Sequence, residues 1–91
     1  MFEKKKQAEF KDSIDLMLSE DYKDRFKAEY MQLKIRYDKL QDMLADYLAG
    51  KLKFGLTCPY YVLRKQLDHM AEYLGILEVR AQIEGIDLNE L

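Results

Sequence analysis

The 91-residue chain has no tryptophan, one cysteine, one proline, one histidine and four glycines. Cys58 alone cannot close an internal disulfide, so nothing in the sequence requires an oxidising compartment, and no set of Cys and His at metal-ligand spacing exists. No run of about 18 apolar residues occurs, and the basic start Lys4-Lys5-Lys6 is not followed by the apolar stretch of a secretion signal. These absences predict a chain that is neither secreted nor membrane-spanning and works in the cytosol. Glycine-rich phosphate loops, nucleophile elbows and paired metal ligands are also missing. The sole histidine, His69, has no Cys, Ser or second His at a spacing that suggests a dyad. The chain reads as a non-enzyme with no catalytic residue, no metal and no cofactor.

What is present is helix. Phe26, Tyr30, Leu33, Tyr37, Leu40, Leu44 and Tyr47 recur at alternating steps of four and three, and Leu63, Leu67, Met70, Leu74, Leu77 and Ala81 repeat the pattern. Between them lies one break, residues 50–58, containing Gly50 and Gly55 and ending just before Pro59. Two apolar stripes of similar length joined by one turn predict an all-α fold, an antiparallel helical hairpin with helices over residues 21–49 and 59–84. Gly50 suits the residue after the first helix. Thr57 or Cys58 is expected to cap the second, with Pro59 at its first position. Phe10, Ile14, Met17 and Leu18 have helical spacing and predict a short N-terminal helix within residues 1–20, followed by a bend near Ser19, where Ser19 or Asp21 caps the long helix. Residues 21–91 then form the hairpin unit, with a tail at 85–91 whose Ile86, Leu88 and Leu91 are expected to dock on a neighbour. Gly75, inside the second helix, costs roughly 1 kcal/mol relative to alanine and reads as simply tolerated.

A hairpin this small buries one stripe per helix and is marginal alone, which predicts self-association into a helical bundle, at least a dimer. Ala28, Met31 and Ile35 form an apolar patch away from the main stripe and are read as an oligomer contact; Val62, Ile76 and Ile83 on the second helix are assigned to the same role.

Beside the first stripe runs a polar line, Arg25, Glu29, Gln32 and Arg36, with Tyr22 one turn earlier; on the second helix Gln66, His69, Tyr73 and Arg80 share a flank with Val62, Ile76 and Ile83. Guanidiniums bind phosphate or carboxylate oxygens bidentately, glutamine both donates and accepts, and tyrosine rings offer stacking faces. Set against this, Arg25 and Glu29 at i, i+4 have the spacing of an ordinary solvated ion pair, which on spacing alone is the commoner outcome. Of the seven tyrosines, Tyr30 and Tyr37 read as core edge, and Tyr22, Tyr60, Tyr61 and Tyr73 as candidates for contact with a ligand or partner. A net charge of −2 disfavours duplex binding, and a regulator touching nucleic acid through Lys4, Lys5, Lys6 and Lys11 is the weakest of the available functions.

The run Asp21-Tyr22-Lys23-Asp24-Arg25-Phe26-Lys27-Ala28-Glu29-Tyr30, continuing through Gln32-Leu33 to Arg36-Tyr37-Asp38-Lys39-Leu40, resembles the first helix of a family of small phage and prophage helical-hairpin proteins. Leu63-Arg64-Lys65-Gln66-Leu67, Met70, Tyr73, Ile76-Leu77 and Arg80-Ala81 are similar to its second helix, in which Gln66, Tyr73 and Arg80 are the less generic positions. Proteins of this sort include sponges that block bacterial immunity by holding nucleotide signals, such as the anti-CBASS and anti-Thoeris hairpin proteins and the Sequestin and Lockin types. The resemblance covers about residues 21–86. It implies a homo-oligomer in the host bacterial cytosol that traps a cyclic dinucleotide or an ADP-ribose derivative such as cyclic ADP-ribose without cleaving it. Carried onto this chain, it implies Arg25, Arg36 and Arg80 for phosphates, Tyr22 and Tyr73 for stacking, and Gln32 and Gln66 for hydrogen bonds. The competing function is an oligomeric protein-interaction module, an inhibitor or adaptor with no small-molecule ligand.

Overall fold

A computed structural model describes residues 10–89, and the elements follow the apolar periodicity closely. A 3-10 turn, Phe10–Ser13, runs into a one-turn helix α1, Ile14–Met17; two long helices follow, α2 at Tyr22–Leu48 and α3 at Tyr60–Glu84. The described residues are helical or irregular, with no strand among them. Lys4, Lys5, Lys6 and Leu91 lie outside the described residues.

The helix ends show why the elements stop where they do. Asp21 is extended at the start of α2 and its carboxylate accepts the Lys23 N–H at 2.9 Å, replacing a partner that the first turn lacks. At the far end Gly50 takes φ +71°, and the Lys51 and Gly50 N–H groups return to the Asp46 and Tyr47 carbonyls, which closes a Schellman motif. Helix α3 begins differently from the sequence expectation. Neither Thr57 nor Cys58 caps it. Pro59 itself occupies the cap position at φ −56° and ψ 144°, and its carbonyl accepts the first intrahelical bonds, from Val62 and Leu63. Proline's fixed φ suits this position as well as the next one, so the helix starts one residue later.

Pairing of α2 with α3 is antiparallel. Tyr30 Oη donates to Glu78 at 2.7 Å, Tyr73 Oη donates to Glu29, and the Tyr47 and Tyr60 rings stack 5.6 Å apart beside the connector. The core lies between the helices: Phe26 and Leu44 from α2, Leu67, Leu74, Leu77 and Ala81 from α3. Gly85, at φ +70°, reverses the chain so that the Ile86 N–H reaches the Ala81 carbonyl at 2.8 Å and the Ile86 side chain enters the cluster with Phe26, Leu77 and Ala81. Leu88 packs against the same cluster. The tail residues Ile86 and Leu88 thus dock on their own chain, where a neighbouring molecule had been expected, because the left-handed glycine turns them inward.

The back of α2 is occupied too. The segment from Phe10 to Met17 packs on it, and Ala28 and Met31 are covered within the single chain, at 1% and 5% exposure. Ala28 and Met31, expected at an oligomer contact, are thus covered by their own chain. Ile35 on the same side is half-buried, whereas Val62, Ile76, Val79 and Ile83 on α3 stand 41 to 78% exposed.

A Cβ built at Gly75 meets nothing within 4 Å, so no close approach explains this glycine. Gly75→Ala is expected to stabilise the chain by about 0.5–1 kcal/mol in urea unfolding, while Gly85→Ala, at a left-handed φ, is expected to destabilise it by roughly 1–2 kcal/mol. Burial, followed by the hydrogen bond to Glu78, pushes the Tyr30 phenol up to about 12. Because the folded form holds this proton more tightly than the unfolded chain, the associated stability is complete below a pH of about 10 and declines as pH rises towards 12. Denaturant midpoints recorded across this range should fall for the native chain and lose that component of the slope in Tyr30→Phe.

Candidate ligand cleft

Helix α2 packs on α3 with one side and on the N-terminal segment with nearly the opposite side, and a flank between them is left open. Arg25, Glu29, Gln32 and Arg36 lie at i, i+4, i+7 and i+11, so one turn after another places them on that flank. The result is a cleft of about 300 Å³, lined by these four together with Ala28 and Leu33 of α2, Met17 of α1 and Tyr73 of α3. Its size is at the lower end of the range for small-molecule sites.

The polar contacts decide between the two readings of the arginine line. The Arg25–Glu29 ion pair suggested by spacing does not form. Glu29 accepts the Tyr73 hydroxyl across the helix interface, and Arg25 Nη1 donates to the Ser19 carbonyl at 2.8 Å. The Arg36 guanidinium lies over the Phe10 ring, 5.0 Å from its centroid, and Lys39 Nζ approaches the same ring at 5.2 Å. Among the described residues neither Arg25 nor Arg36 has a carboxylate partner, although Lys34–Asp38, Arg64–Asp68 and Arg80–Glu84 show that i, i+4 pairs form elsewhere on these helices. Two guanidiniums thus border the cleft on either side of Gln32, and Glu29, which lines it as well, is engaged by the Tyr73 hydroxyl.

Gln32 is fixed more firmly than its neighbours. Its Nε2 donates to Ser13 Oγ at 2.9 Å and to Met17 Sδ at 3.4 Å, and Ser13, fully buried, donates in turn to the Phe10 carbonyl at 2.7 Å.

Of the seven residues expected to bind ligand, the fold brings Arg25, Gln32, Arg36 and Tyr73 into this cleft. Arg80 and Tyr22 belong to a neighbouring cluster. Arg80 Nε donates to Glu84 at 2.9 Å while its guanidinium lies 4.8 Å from the centre of the Phe26 ring. The hydrogen bond to Glu84 raises the Arg80 pKa, and the same bond holds the Glu84 carboxyl below its usual range. Desolvation first, and then Glu84, raise the Tyr22 phenol. Arg80 is thus committed to a carboxylate that the sequence pattern did not pair with it. Gln66 is two turns before Tyr73 on α3, exposed, with Met70 Sδ as its contact at 3.9 Å, and does not line the cleft. Tyr60 is engaged by Tyr47, and Tyr61 is exposed.

Met17, Ala28, Glu29 and Leu33 line the cleft without having been named as ligand residues. Glu29 and Leu33 carried a signal, since they sit within the polar line and the adjacent stripe. Met17 did not, because its place depends on where a short N-terminal segment docks.

Among the described residues no group of His, Cys, Asp and Glu is placed to hold a metal ion, and no helix is long and apolar enough to cross a membrane. His69 is exposed on α3, away from the cleft. The family model for Sequestin matches residues 20–83, and the chain belongs to that family. The role this carries is sequestration in anti-defence, by binding and without catalysis. No curated protein and no solved structure matches the chain. The matched segment includes α2 and almost all of α3, and begins after Met17, so the N-terminal wall of the cleft precedes it.

Proposed function

We propose that the chain sequesters a nucleotide immune signal, either an ADP-ribose derivative such as cyclic ADP-ribose or a cyclic dinucleotide, and so blocks bacterial anti-phage defence in the cytosol of the host. The observation that carries this reading is the pair Arg25 and Arg36, which have no acidic partner among the described residues and border a cleft with Gln32 between them and Tyr73 opposite. Guanidiniums take phosphate oxygens, the tyrosine ring takes a base face, and the glutamine amide takes a base edge. Membership of the Sequestin family supports capture without turnover. Arg80, tied to Glu84, is a weaker phosphate partner than its sequence position implied, and Tyr22 beside it serves the same secondary cluster.

Val62, Ile76, Val79 and Ile83 leave an apolar face on α3 next to Tyr73. We read this face as the contact between copies, so that the working form is a homo-oligomer of at least two chains. The same face also suits the competing reading, docking of a different protein with no nucleotide involved.

The chain is expected to deplete cyclic ADP-ribose isomers or cyclic dinucleotides from solution and to release them chemically intact on heating. Arg25→Ala combined with Arg36→Ala should keep the helical circular dichroism and lower affinity by roughly 10²-fold or more, on the scale of two lost charge-assisted contacts. Unchanged affinity in the double variant would move the site elsewhere. Light scattering at micromolar concentration should give the mass of a dimer or larger, and Ile76→Glu with Ile83→Glu should reduce it to that of one chain; a native monomer counts against the assembly.

A further inference from the structure

Within the proposed capture site, we infer that Gln32 selects for a ligand bearing an N–H donor, such as the exocyclic amine of an aminopurine, and that Ser13 is the positioning residue that imposes this choice. The inference rests on the capture reading and goes beyond it by assigning the chemistry at one point of the cleft. A glutamine amide can ordinarily turn over and offer either its oxygen or its nitrogen. Here the turn is blocked. The Phe10 carbonyl can only accept, so the bond of 2.7 Å between it and Ser13 Oγ uses the single serine proton. Towards Gln32, Ser13 is therefore an acceptor, and the atom that meets it must be Nε2, at 2.9 Å. The second amide proton points to Met17 Sδ, which also only accepts. With both N–H groups used, Oε1 is the hydrogen-bonding atom of the amide left over for a ligand.

Reversing the amide would set its oxygen against two acceptors, one of them on a fully buried serine, with no proton between them. The cleft consequently presents a fixed acceptor at Gln32, between two cations. A base edge with an amine there gains a hydrogen bond. A base edge with a carbonyl at the same place meets oxygen with oxygen. Ser13 and Met17 precede residues 20–83, so the groups that set the amide lie outside the part of the chain matched by the Sequestin family.

The test uses the full chain and matched probes: cyclic ADP-ribose against its hypoxanthine counterpart, and cyclic di-AMP against cyclic di-IMP, with affinities from calorimetry. The native chain is expected to prefer the amino member of the pair it binds by about tenfold or more. Ser13→Ala, which lets the amide turn, should bring the two members within about threefold while the circular dichroism stays helical. Independently of any ligand, the side-chain NH2 protons of Gln32 in the native protein should show NMR cross-peaks to Ser13 Hβ and to the Met17 methyl. Equal affinity for amino and carbonyl members, or a preference that survives in a folded Ser13→Ala, overturns this inference and leaves nucleotide capture standing. Missing cross-peaks overturn it whether or not a ligand binds. Binding of neither member of either pair, nor of any other cyclic ADP-ribose isomer or cyclic dinucleotide, removes the capture reading itself, and this inference with it.

Discussion

The packing of α2 against two different partners on nearly opposite sides is the constraint on which the rest of the molecule depends. Phe26 and Leu44 face α3, while Ala28 and Met31 are covered on the other side, where the segment from Phe10 to Met17 packs. A helix held in this way has open flanks, and one of them becomes a cleft because the walls on either side stand above it. Met17 and Tyr73 are those walls, contributed by α1 and α3, with the polar line of α2 as the floor. No loop is needed to build the site. Each of its polar side chains projects from a helix, and rigid elements of this kind hold geometry better than loops do.

The polar contacts around the cleft form a division of labour. Glu29 is the acidic group best placed to neutralise the arginine line, and Tyr73 engages it from the other helix. That contact joins α2 to α3, while the Arg25 guanidinium turns to the Ser19 carbonyl. Arg36 is held against an aromatic face, an interaction that keeps a guanidinium ordered while leaving its charge uncancelled. The result is a cleft in which both guanidiniums are already held in place by contacts within the chain.

The apolar stripes were legible because a helix core repeats locally, and nothing beyond the chain's own periodicity is needed to find Phe26, Leu67, Leu74, Leu77 and Ala81. The polar line from Arg25 to Arg36 was legible for the same reason. The partner of each polar group was not. Glu29 bonds to Tyr73 because of the register between two helices, and spacing along one helix carries no information about that register. Arg80 meets Glu84 in a pair that spacing permits but does not single out from the others available to it. The covering of Ala28 and Met31 was hidden because a segment with only one turn of α-helix has too short a period to announce where it will dock. The inward turn of Ile86 did have a signal, a glycine followed directly by an apolar residue with Ala81 five positions earlier, the pattern of a Schellman motif and its hydrophobic contact.

The two walls of the cleft come from stretches of chain under different demands. Tyr73 sits on a helix whose neighbours Leu74 and Leu77 are committed to the core, so changes there disturb folding. Met17 and Ser13 sit on a segment that packs on α2 and lies outside the contact between α2 and α3. Changes at Met17 or Ser13 can therefore reshape the amino-terminal wall of the cleft while the contact between α2 and α3 stays intact, which separates the evolution of the cavity from the evolution of the hairpin.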